Sequence, residues 1–122
     1  MSTQVFKFQI AAPAIHLSKL EQDPNRLLSY LPEETLSALK SYIFDQLQNK
    51  DGAPMLSEMN VTRFEYQEAY HTGRFRIAFK IDRQFCCADT LACASDYMDF
   101  SFRSEPTQLL AEGSFFDWTL DN

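Results

Sequence analysis

Gly73-Arg74-Phe75-Arg76-Ile77-Ala78-Phe79-Lys80-Ile81-Asp82-Arg83-Gln84-Phe85 is the stretch on which the fold turns. Phe75, Ile77, Phe79 and Ile81 alternate with Arg74, Arg76, Lys80 and Asp82. That period of two belongs to a strand with one buried face and one wet face. The residues before it read as its hairpin partner. With Thr72-Gly73 as a two-residue turn, His71 faces Arg74, Tyr70 faces Phe75, Tyr66 faces Phe79 and Phe64 faces Ile81. The other face then carries two opposite-charge pairs, Glu65 with Lys80 and Arg63 with Asp82. A slip of one residue would set rings against cations, which makes this register the expected one. It also sets Glu68 opposite Ile77, on the apolar face.

On the N-terminal side, Val5-Phe6-Lys7-Phe8-Gln9-Ile10 alternates and reads as a strand that Ala11-Ala12-Pro13 ends. Asp23-Pro24 predicts a capped short turn of helix through Leu27, Leu28 and Tyr30. The main helix is expected over 32–50. Glu33 and Glu34 suit its first turn, and Leu36, Leu39, Ile43 and Leu47 recur at three and four to make an apolar stripe. Lys50-Asp51-Gly52 supplies a basic last turn and a glycine stop.

Within the hairpin's first strand, Met59 and Val61 sit at odd positions but Phe64, Tyr66 and Tyr70 at even ones. This change of parity predicts a bulge near Thr62-Arg63. After Phe85 a loop is expected through Cys86–Ala92, then a strand in which Met98, Phe100 and Phe102 alternate with Tyr97, Asp99 and Ser101. Ser104-Glu105-Pro106-Thr107 reads as a turn. In the last strand Leu110, Phe116, Trp118 and Leu120 share parity, Phe115 breaks it, and no register of this second hairpin gives a clean face. The expected fold class is α+β: one two-layer domain over residues 1–122, its N-terminal strand and helices packed on a four-stranded antiparallel meander.

Composition sets the bounds. A chain of 122 residues buries roughly two-thirds of its unfolded surface, enough for one core without staples. Eleven Phe predict that the core is rich in rings. Three Cys, two of them adjacent, do not suggest a disulfide framework, and Met1-Ser2-Thr3-Gln4 does not open a signal peptide. No apolar run approaches the twenty or so residues of a membrane span. A cytoplasmic protein with reduced thiols is expected, with no membrane partner. The net charge of −6 argues against nucleic acid. The imbalance sits in 84–122, where one Arg stands against seven acids.

Chemistry is thinly signalled. Cys86, Cys87 and Cys93 lack zinc spacing, and adjacent strand residues point to opposite faces. His71 and His16 have no legible triad partners, and no phosphate loop or nucleophile elbow occurs. No metal and no cofactor is expected. The weak catalytic candidates are Glu68 with Tyr66 and Tyr70, because burial of that carboxylate would raise its pKa in a pocket between helix 32–50 and the sheet.

The binding candidates are charged. Asp96, Asp99, Glu112 and Asp117 form an acidic C-terminal hairpin suited to steering a basic partner. Arg74 and Arg76, with Arg63, Lys80 and Arg83, form an opposing basic ridge on which the acidic hairpin of a second copy could dock. The leading expectation is a non-enzymatic interaction module of the adaptor, inhibitor or immunity type, with a protein partner or a homodimer. A small-molecule binder or enzyme using the Glu68 pocket is the alternative.

Overall fold

The computed structural model describes residues 5–11, 17–47, 50, 52–85 and 90–115. Its elements are β1 (Phe6–Ala11), α1 (Leu17–Gln22), α2 (Arg26–Ser29), α3 (Glu33–Gln46), β2 (Met55–Gln67), β3 (Thr72–Phe85), β4 (Thr90–Ser104) and β5 (Gln108–Ser114). The class is α+β, with one open antiparallel sheet of five strands in the order β1-β5-β4-β3-β2. Each of β2, β3 and β4 pairs with the strand that follows it. The first strand does not pack on a four-stranded sheet, as expected, but joins it as a fifth member beside β5.

The alternation in β3 places its side chains as read. Phe75, Ile77, Phe79 and Ile81 are all buried. The register of the hairpin is a correction. Tyr66 pairs with Gly73 rather than Phe79, Glu65 with Arg74 rather than Lys80, and Met55 rather than Arg63 with Asp82. The turn is not Thr72-Gly73 but a 3-10 turn over Glu68–Tyr70, closed by His71 in the left-handed region at φ 54°.

Two physical reasons account for the difference. Gly73 is needed inside the strand, not at its end: a Cβ there would stand 2.3 Å from the Glu65 carbonyl oxygen and 2.4 Å from Phe102 Cζ. The bare backbone lets Tyr66 and Phe102 stack over it, with ring centroids 6.0 Å apart. The second reason is that β2 shifts register twice, between Ser57 and Asn60 and between Thr62 and Glu65. Glu58 and Arg63 sit in the left-handed region there, at φ 50° and 53°. The second shift is the bulge that the parity of Val61 and Phe64 predicts, and the first has no such signal in the sequence.

Among the described residues three helices precede β2, not two. Leu17–Gln22 is helical, and the cap of α2 falls on Asn25 rather than Asp23. Pro32 starts α3 in extended conformation, its carbonyl accepting from the Thr35 and Leu36 N–H groups. The helix ends at Gln46, four residues before Lys50, because Leu47 turns extended. Lys50 still serves that end, donating from Nζ to the Leu47 carbonyl at 2.7 Å.

Leu20, Leu27, Leu31, Leu39, Ile43 and Leu47 of the helical segment share one buried cluster with the sheet residues. Rings run across the sheet within it. Phe8 meets Phe100 at 5.6 Å, Phe100 stacks on Phe75 at 5.0 Å, and Phe64 lies 6.2 Å from Phe75 and 5.2 Å from Phe102. Among the described residues, none that is polar or charged is buried.

The β3–β4 hairpin is longer than expected. Leu91 and Ala92, expected in a loop over 86–92, are strand, paired with Gln84 and Arg83. Cys86 and Cys87 lie outside the described residues, and Cys93 pairs with Asp82. The last hairpin closes as read: Glu105 and Gln108 exchange backbone hydrogen bonds around Pro106-Thr107. The register of β5, which the sequence leaves open, puts the odd positions inward. Leu109, Ala111 and Phe115 are buried and Leu110 faces out, while Phe116, Trp118 and Leu120 lie outside the described residues.

Candidate functional site

The period of two that buries Phe75 and Phe100 turns every intervening side chain to the sheet's opposite face. There the registers align them in rows. One row runs Lys7, Glu112, Ser101, Arg74, Glu65, a residue from each of the five strands. The next runs Gln9, Leu110, Arg103, Thr72, Gln67. These ten positions line a depression of about 910 Å³, with parts of Phe8, Phe102 and the small residues Gly73 and Ala111 at its floor. The right-handed twist of an open sheet hollows a face in this way.

The face is charged but internally balanced. Lys7 Nζ stands 3.9 Å from Glu112, and Arg74 donates to Glu65 at 3.4 Å. Arg76 is held more firmly than either. Its Nε donates to Asp99 Oδ1 at 2.7 Å and its Nη2 to Oδ2 at 3.2 Å, while the guanidinium lies 3.7 Å above the Tyr97 ring. The hydrogen bond that Arg76 donates to Asp99, and with it the carboxylate's charge, raises the Arg76 pKa against the opposing effect of burial. Further along, Lys80 pairs with Glu58 at 2.8 Å, and Ser57 donates to Asp82 at 2.6 Å.

The binding candidates are therefore dispersed along this face rather than gathered at one end. Asp99, Glu112, Arg74 and Arg76 are on it, each beside an opposite charge of the same chain. Asp96 is not, because it pairs with Phe79 on the other parity, where it accepts from the Tyr97 N–H at 2.8 Å. Asp117 lies outside the described residues. The basic ridge and the acidic hairpin meet directly at Arg76 and Asp99, while Arg74 and Lys80 pair with Glu65 and Glu58 of β2, and Glu112 with Lys7 of β1.

The catalytic candidates separate. Glu68 and Tyr70 are exposed in the 3-10 turn, and Tyr66 is half-buried against Phe102. The register that puts Glu68 opposite Ile77 is not the one adopted, so the carboxylate does not enter the apolar cluster. His71 is exposed in the same turn. Among the described residues, no three His, Cys, Asp or Glu side chains are grouped to hold a metal ion, and no helix is long and apolar enough to cross a membrane.

Sequence reasoning missed Lys7, Gln9, Ser101, Arg103 and Leu110 as parts of one surface. The signal was parity, but reading it needed the register of β5, which the apolar residues beyond Ser114 obscured. No family model, no curated protein and no solved structure matches the chain.

Proposed function

We propose that this chain is a non-enzymatic protein-interaction module that seats its partner on the open face of the sheet. In this reading the helices form a second layer over the apolar face and leave the other for recognition. The observation that supports it is the depression of about 910 Å³ built from outward positions of all five strands. Behind it the core is apolar throughout the described residues, which leaves little for chemistry. The acidic hairpin takes part through Asp99 and Glu112, set in place by Arg76 and Lys7. Charges so ordered favour orientation and choice of partner more than affinity.

The test is affinity capture compared across variants that keep the wild-type thermal melt. Ser101→Arg, at the middle of the first row, and Leu110→Arg, inside the second, should lose the partner that the wild type recovers. Lys40→Glu, exposed on α3, should keep it. Equal recovery with all three variants, or loss only with Lys40→Glu, overturns the reading.

A further inference from the structure

The two edges of the sheet are finished differently. The β2 edge is interrupted by two register shifts, and the helical segment caps it: Asn25 Oδ1 accepts from the Val61 N–H at 2.7 Å, and Asn25 Nδ2 reaches Asn60 at 3.4 Å. Bulges and covering groups of this kind keep an edge from pairing with another chain. β1 has neither. Its six residues pair with β5 without a shift, and among the described residues it has no strand on its other side. Alternate N–H and C=O groups of β1 therefore face away from the sheet. Phe6 and Phe8 are only partly buried there, although both pack on the core cluster.

We propose that β1 is a self-association seam, at which a second copy of this chain adds its own β1 antiparallel across a two-fold axis to give one continuous sheet of twice five strands. The seam adjoins the open face, since Lys7 and Gln9 also line the depression, but its test reads the mass of this chain alone. The sequence of β1 suits itself in one register. With Phe8 facing Phe8 of the second copy, Phe6 faces Ile10 and Lys7 faces Gln9, so rings and cations stay on their own sides and no like charges meet. Shifting by two positions one way sets Lys7 against Lys7. Shifting the other way leaves Phe6 beyond the end of the facing strand. An odd shift sets Phe against Gln. Lys7, the one charged side chain on the strand, already lies 3.9 Å from Glu112, which lessens its value as an edge guard.

One short strand and two rings make a seam below the size of standard interfaces, so the dimer is weak and calls for measurement over a wide concentration range. Sedimentation equilibrium should show a reversible monomer–dimer system for the wild-type chain. Gln9→Glu sets a carboxylate opposite Lys7 on each side of the axis, and Gln9→Lys sets a second ammonium there instead. The first should tighten the dissociation constant by about 2- to 30-fold and the second should weaken it by a similar factor. Both substitutions are at an exposed position beside Leu110 and leave the monomer's melt unchanged. Amide exchange in β1 should slow as concentration rises. A monomeric mass at every concentration overturns the proposal, and so does a dimer indifferent to the charge at position 9. Tightening by both substitutions also overturns it. Protection of β1 that appears only with an unrelated protein overturns the second copy as the occupant.

Discussion

Gly73 is a strand residue chosen for what it lacks. Any Cβ there would meet the backbone of Glu65 and the ring of Phe102 at once, and the backbone atom has nowhere to go. Gly73→Ala should cost about 1–3 kcal/mol, measured as a lower midpoint in urea with the slope unchanged. The same substitution in a tolerant turn would cost far less. Gly113, paired with Phe100, is the same device on β5, where an added Cβ would stand 2.5 Å from the Asp99 carbonyl. Glycine before an alternating run reads as a turn residue in a single sequence, because nothing local announces a ring from another strand.

Arg76 makes the second residue-scale prediction. A double-mutant cycle of Arg76→Met with Asp99→Asn should give a coupling of about 1 kcal/mol or less, since Asp99 is largely open to solvent. The folded pKa of Arg76 is raised, so on the alkaline side its contribution persists past neutrality and is lost only in strong alkali. The destabilisation caused by Arg76→Met should therefore be the same at neutral and mildly alkaline pH.

At the scale of elements, the face of β3 was legible because one clean alternation needs no partner to interpret it. The long helix was legible from its stripe, though its end was not: Lys50 caps a carbonyl from beyond the last turn. The pairing of β2 was not legible. A register deduced by counting back from a turn survives one bulge only if the turn is right, and β2 has two shifts and a different turn. Arg63 tests the bulge directly. Arg63→Gly removes a left-handed side-chain cost and should raise stability by up to about 1 kcal/mol, where glycine elsewhere in a strand lowers it. Asn25→Ala should cost about 1 kcal/mol and speed amide exchange at Val61, whose N–H it leaves to water.

For the molecule as a whole, the class of fold followed from the order of elements, and the open face followed from it only in part. Arg74, Arg76, Asp99 and Glu112 were each visible as charged outward positions. Their ion-pair partners, Glu65 for Arg74, Lys7 for Glu112, and Arg76 and Asp99 for each other, were hidden, since they depend on the registers of the sheet. What looked like two opposed surfaces, one acidic and one basic, meets on one face, where Arg74, Arg76, Asp99 and Glu112 each stand beside an opposite charge.

The pairing of Phe6 with Gly113 carries a further consequence, for how this molecule comes into being. On a ribosome the first strand emerges long before the last one exists, and its neighbour in the sheet is almost the last described segment to be made. Until then Phe6, Phe8 and Ile10 have no ladder to join, and the nascent chain carries them unsheltered. Closing so long a loop is slow, so the outermost strand should be the final piece to lock, after the sheet from β2 to β5 is already in place.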